Sequence, residues 1–428
     1  MPTIALKRTR GASLLVGGLL LGSTVGGWLS LASVCLAQEP PKKDGRYKLG
    51  PLHVTPRLRL TSGIDTNVFQ TLADPTRDAV VVLSPRVEGA LPVGRRLRLT
   101  GLGYVDVNYF RRQDDERSVD FYGEGRGELY VGAVTFFAGG GGGQFTQRFS
   151  IDVDDRLERQ EKRGYAGATW HVTRRLSLTG QGTNEILTFA PGVFRLGGSV
   201  KEAMDRNTLA AAGQVRFALS PRTTLLVSGE AIEDRFFSQP ANLPPERQSY
   251  RFLGGVEFGG RSIFTGRVLA GLRDFPGTLE QGSPAYRGPV VAADLSLPVG
   301  RFARLRLVGE RDVLYASSLV EVGTLRYRNA FVYNRYLGEV VVELPLRCLA
   351  FLQAGFERSD YLLPYPYPND FSLNDRVDNR YTAGASLLRQ FGDSVRLGGH
   401  VAWARRVSSL PVFSYEGLRY GLTAEVRP

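Results

Sequence analysis

After about residue 50 the chain repeats one unit. Segments of about a dozen residues alternate apolar and polar side chains, and their connections alternate too: a two- to four-residue turn, then a longer polar loop. Few folds are open to such a sequence. Alternation of period two over ten or so residues is the pattern of a strand with two different faces. Hairpins that are tight at one end and loose at the other are the pattern of a β-barrel that crosses a membrane. No run of about 18 apolar residues follows the N-terminal segment, so membrane-spanning helices are excluded.

The pattern predicts eighteen strands, near 52–61, 79–91, 96–110, 118–130, 133–148, 161–172, 175–188, 205–219, 222–237, 247–258, 262–274, 286–298, 302–315, 328–344, 347–362, 376–391, 394–407 and 413–427. An even number suits a barrel with both ends of the chain on one side of the membrane. The two faces separate cleanly. Ala303, Leu305 and Leu307 oppose Arg304, Arg306, Glu310 and Asp312, and Val395, Leu397 and Val401 oppose Arg396, His400 and Arg406. A charge facing lipid at midplane would cost about 2–4 kcal/mol, so the charged face is the lumen.

The short connections include Pro92-Val93-Gly94-Arg95, Thr173-Arg174, Ser220-Pro221, Val299-Gly300-Arg301, Pro345-Leu346 and Gly392-Asp393, and are expected in the periplasm. The long ones, including 189–204 and 316–327, are expected outside the cell. Aromatics cluster at the long-loop ends (Tyr109, Phe110, Phe121, Tyr122, Phe236, Phe237, Tyr250, Tyr315, Tyr361, Phe413, Tyr415), with Trp170, Phe217 and Phe258 near the other rim. They read as two interfacial belts.

Residues 1–37 read as a cleavable signal peptide: Lys7, Arg8 and Arg10, then an apolar core, then Cys35-Leu36-Ala37 before Gln38. Residues 38–50 form a polar, Pro-rich periplasmic segment, and 51–428 form the barrel. Losing the three cations of the leader lowers the formal net charge from +12 to +9. The export signal and the dispersed arginines argue against a nucleic-acid partner. Cys348 is then the remaining cysteine, so no intramolecular disulfide is expected.

Catalytic signatures are missing. Gly139–Gly143 is a five-glycine run without the Lys-Ser/Thr of a phosphate loop, and it falls inside a strand, where it marks a bend or close packing. His53, His171 and His400 lie on separate strands with no metal spacing. No enzyme activity, cofactor or metal is expected. The chemistry that remains is in the lumen arginines, chiefly Arg57, Arg59, Arg98, Arg216, Arg251, Arg267, Arg304, Arg306, Arg396 and Arg406. Rings of arginine select anions in pores. Acids share the same face (Glu230, Glu257, Asp294, Glu310, Asp312, Glu339, Glu425), and cross-strand pairing between the two would brace the wall instead.

The first hairpin reads Gly63-Ile64-Asp65-Thr66-Asn67-Val68-Phe69 after an Arg-Leu-Arg-Leu strand. This resembles the opening of outer-membrane β-barrel porins associated with exopolysaccharide systems. The resemblance implies a porin-like fold without catalytic residues. The chain ends Glu425-Val426-Arg427-Pro428, without the terminal aromatic that barrel-insertion machinery commonly reads.

The expectation is an all-β, up-and-down transmembrane barrel of about 18 strands in the outer membrane of a Gram-negative bacterium. Its partners would be membrane lipid, lipopolysaccharide and the insertion machinery. Its function would be passive diffusion of small hydrophilic solutes, with anions preferred if the arginines outweigh the acids. The alternatives are an exporter of an anionic exopolysaccharide and a plugged structural barrel.

Overall fold

Alternating side chains place one set on each side of a pleated sheet, and a sheet this long must close to satisfy its edges. The computed structural model describes residues 47–148, 156–191, 199–238, 243, 246–259, 262–277, 284–322, 325–367 and 370–427. The expected signal peptide and most of the segment after it lie outside the described residues. The strands are β1 (Tyr47–Leu49), β2 (Leu52–Asp65), β3 (Asp78–Val93), β4 (Leu97–Phe110), β5 (Ser118–Val131), β6 (Val134–Gln147) and β7 (Leu157–His171). Then come β8 (Leu176–Phe189), β9 (Arg206–Ser220), β10 (Thr223–Phe236), β11 (Glu246–Phe258), β12 (Thr265–Phe275), β13 (Tyr286–Val299) and β14 (Ala303–Val322). The last are β15 (Leu325–Leu344), β16 (Cys348–Tyr361), β17 (Tyr365–Tyr367), β18 (Asp370–Asn374), β19 (Val377–Phe391), β20 (Val395–Ser408) and β21 (Tyr415–Val426). A five-residue helix, α1 (Val200–Met204), lies between β8 and β9.

Each wall strand pairs antiparallel with its sequence neighbour, and β16 pairs with β19 past the small β17–β18 hairpin. β2 closes on β21 with Gly63 opposite Gly421 and Arg59 opposite Glu425. The sheet has nineteen strands. The short β1 only folds back on the start of β2, so eighteen form the closed antiparallel barrel. Among the described residues no helix is long and apolar enough to cross a membrane.

The charged face is the concave one. Arg251 on β11 reaches Asp312 on β14 at 2.8 Å. Such a chord, over the two strands between, is short only inside the curve. The opposite face carries Leu58, Leu60, Val227, Phe252, Leu272 and Leu422, all exposed on the outside of the wall. This inverts a soluble sandwich, as lipid solvation requires.

Two expectations are corrected. Residues 316–322 and 325–327, expected in an outer loop, are strand. β14 runs on to Val322 and β15 starts at Leu325, each a twenty-residue strand, with a register shift between Tyr315 and Leu319. Cross-strand pairing there satisfies the backbone, and polar side chains alone had suggested a loop. The long-loop aromatic belt is also only half a belt. Tyr109, Phe121, Phe237 and Tyr250 are exposed on the outside, but Phe110, Phe236, Tyr315, Tyr361, Phe413 and Tyr415 are buried. The reason is the period of the strand: in Tyr109-Phe110 and Phe236-Phe237, adjacent rings must point to opposite faces. At the other rim Trp170 and Phe217 are exposed as an interfacial belt would be.

Candidate functional site: the lumen

Three zones follow one another along the inner wall. At the long-loop end the inward aromatics meet a folded-in segment. Ser199 caps α1 through the Glu202 N–H at 3.3 Å. Val200, Ala203 and Met204 are buried in an apolar cluster with Leu187, Phe189, Phe236, Phe275, Tyr315, Phe331 and Phe413. That cluster joins strands that are far from neighbours, β8 to the turn before β21, so it narrows this end of the barrel. Polar clamps hold the segment. Arg328 donates to the Ala203 carbonyl, Arg206 to the Met204 carbonyl at 3.2 Å, and the Phe189 N–H donates to Asp205 at 2.7 Å. The Arg328 guanidinium lies 3.4 Å over the Phe236 ring.

The middle zone is braced by ion pairs. Arg251 contacts Glu230 at 2.6 Å and Asp312 at 2.8 Å, and Arg273 also reaches Asp312 at 3.0 Å. Arg306 bridges Asp294 at 2.9 Å and Glu339 at 3.0 Å. Arg380 and Arg335 share Glu357 at 3.1 and 3.6 Å. A carboxylate between two guanidiniums offsets part of the desolvation of each, which is how a narrow lumen can hold this much charge.

The third zone is the short-turn mouth. Glu425 is approached by Arg59 at 3.5 Å, Arg396 at 3.8 Å and Arg427. Arginines recur in the turns themselves: Arg95, Arg96, Arg174, Arg175, Arg222, Arg301 and Arg347. Among these, Arg347 has a carboxylate within ion-pair range, the exposed Asp393 at 3.7 Å.

All ten arginines singled out from the sequence stand on the inner face, but in different settings. Arg57 and Arg59 oppose the exposed Leu58 and Leu60 on β2. Arg98 is in register with Glu128, and Arg267 lies between Glu257 and Asp294. Arg216 pairs with Glu257. Arg304 is exposed near the short-turn end, and Arg306 and Arg396 are paired as above. Arg251 and Arg406 are buried; Arg406 donates to the Phe413 carbonyl and lies over the Phe413 and Tyr415 rings. These two hold the wall and the turn before β21. Sequence reading missed α1 and the basic turns. The turns had a visible signal, an arginine at or just after most short connections. The helix had none beyond Ser199 and its following Glu202.

The five-glycine run lies in β6, where a side chain on Gly139 would meet the Tyr165 hydroxyl at 2.5 Å and one on Gly143 would strike the Phe121 carbonyl. Close packing is its role. Among the described residues no group of three or more His, Cys, Asp or Glu could hold a metal ion.

No curated protein sequence matches the chain significantly. Solved structures of outer-membrane barrels match over most of the chain at low identity. Pseudomonas aeruginosa OpdK, crystallised with vanillate, is 12% identical, with 87% of this chain and 98% of that one covered at a TM-score of 0.44. Acinetobacter baumannii OccAB3 is 9% identical, with 87% and 98% covered at 0.45. A mutant of the ferric enterobactin receptor PfeA from Pseudomonas aeruginosa is 10% identical, with 87% and 80% covered at 0.42. The family described as "Putative beta-barrel porin 2" matches residues 44–428. The chain belongs to that family, and the barrel is a porin-like protein of the Gram-negative outer membrane.

Proposed function

We propose that the barrel is a passive channel for small hydrophilic solutes, with a mild preference for anions. The observation that carries this reading is the division of the wall: apolar side chains outward, a charged and hydroxylated surface inward. Arg57, Arg59, Arg98, Arg216, Arg267, Arg304, Arg306 and Arg396 would line the water-filled passage. Most have an acid nearby, so the middle of the lumen is close to neutral and selects weakly. The preference for anions would come from the basic turns at the mouth, where fixed positive charge raises the local anion concentration. No step of this function calls for a catalytic group or cofactor.

Liposome-swelling rates test it. Equal-sized neutral, anionic and cationic solutes should enter in the order anion, neutral, cation, with modest ratios that shrink as salt rises. A cation preference contradicts the reading. Steep anion selectivity with block by an acidic oligosaccharide would mark an exporter instead. The apolar cluster around α1 favours one rival, a plugged barrel, which admits no solute at all.

A further inference from the structure

The inner wall near the short-turn mouth holds a recess of about 360 Å³ between β5 and β10. Arg126, Arg174, Arg175 and Arg216 bring four guanidiniums to it, and Gln181 and Gln214 bring amides, beside several hydroxyls. No Asp or Glu is among its lining residues. That sets it apart from the middle of the lumen, where cation and acid are interleaved. Two of the cations are held by acids of the inner wall. Arg126 pairs with Glu128 at 2.9 Å and lies 4.6 Å over the Phe137 ring, and Arg216 pairs with Glu257. Both carboxylates stay outside the lining. The turn that carries Arg174 and Arg175 is fixed by Thr173, whose hydroxyl accepts the Arg175 and Leu176 N–H groups at 3.1 and 3.0 Å.

Four guanidiniums against two flanking carboxylates leave a net positive charge, which calls for an oxyanion. The amides and hydroxyls beside them suit the hydroxyls of a polyol, and the volume is at the small end of ligand sites. We propose that this recess is a binding subsite for a hydroxylated organic anion of monosaccharide size, a sugar acid or sugar phosphate. It would hold the solute at the short-turn mouth. The inference deepens the channel reading by naming a solute class, and it rests on that reading.

Equilibrium binding to the full-length protein in detergent tests it, with glucuronate, glucose 6-phosphate, glucose and inorganic phosphate as probes. Both organic anions should bind, and glucose and inorganic phosphate should bind roughly tenfold or more weakly. Binding of only one of the two anions assigns carboxylate or phosphate as the recognised group and supports the subsite. The double variant Arg174→Ser/Arg175→Ser should lose affinity by roughly tenfold. Arg301→Ser/Arg347→Ser, which removes two cations from the same mouth outside the recess, should change it far less. Folding of each variant is read from heat-modifiable gel mobility. Equal losses in the two double variants, glucose binding as tightly as the anions, or no binding of either anion would each overturn the subsite. Solute flux is scored separately. Flux without binding removes the subsite alone, and binding without flux removes the channel alone.

Discussion

At the scale of single residues, the motif that opens the first hairpin is a seam rather than a site. Asp65 accepts the Asn67 N–H at 3.0 Å and pairs with Arg419 on β21. Asn67 is buried, donates to the Thr71 and Glu416 carbonyls at 2.7 and 2.8 Å, and accepts the Thr71 N–H at 3.1 Å. Arg148 donates to the Val68 carbonyl. The motif therefore ties the first long loop to the last strand where the barrel closes. Asn67→Ala leaves buried backbone groups unmet and should cost about 1–3 kcal/mol, read as a lower temperature of heat-modifiable unfolding. Glycines divide in the same way. Gly143→Ala drives a methyl into the Phe121 carbonyl, which no side-chain movement relieves, and should destabilise by about 1–3 kcal/mol. Gly123→Ala, with nothing within 4 Å of the new methyl, should be neutral in the same assay. The sequence located the run inside a strand but could not say which neighbour approached it, because register across strands is not a local property.

At the scale of elements, strands were legible and their exceptions were not. Alternation sets where a strand starts and stops, and short turns with Gly or Pro fix the tight ends. Thr265–Phe275 and Tyr286–Val299 lie within a few residues of their expected bounds. The inward turn of Phe236 and Tyr315 follows from the strand period and was overlooked; the β14–β15 extension was missed for a different reason. A polar, loop-like sequence can remain in a sheet when a partner strand supplies its hydrogen bonds, and composition does not report the partner. α1 was hidden because five residues carry too little periodicity to register. If the segment narrows the lumen, replacing 199–205 with a Gly-Ser linker should raise unitary conductance severalfold while gel mobility stays that of a folded barrel. Unchanged conductance would show that the α1 segment does not lie in the path of the ions.

At the scale of the whole molecule, the account depends on which side meets lipid. Val227 and Phe252 are among the most exposed apolar residues of the wall, and the neighbouring Ser228 and Arg251 are buried inside. Val227→Arg should cost about 2–4 kcal/mol in folding into lipid vesicles, since it puts a charge in the hydrocarbon layer. A neutral result would mean that this face does not touch lipid. The long-range charge pattern, with paired acids and bases mid-lumen and basic turns at one mouth, was half visible. The arginines and acids could be placed on one face from the sequence alone. Their pairing could not, because it depends on chords such as Arg251 to Asp312 that exist only once the sheet closes.

Single-channel recording in a planar bilayer under a salt gradient tests the central claim most directly. The account predicts discrete, nearly ohmic steps, with a reversal potential shifted modestly toward that of the anion. Purified, folded protein that inserts but passes no current, both as the native chain and with 199–205 replaced, would contradict it.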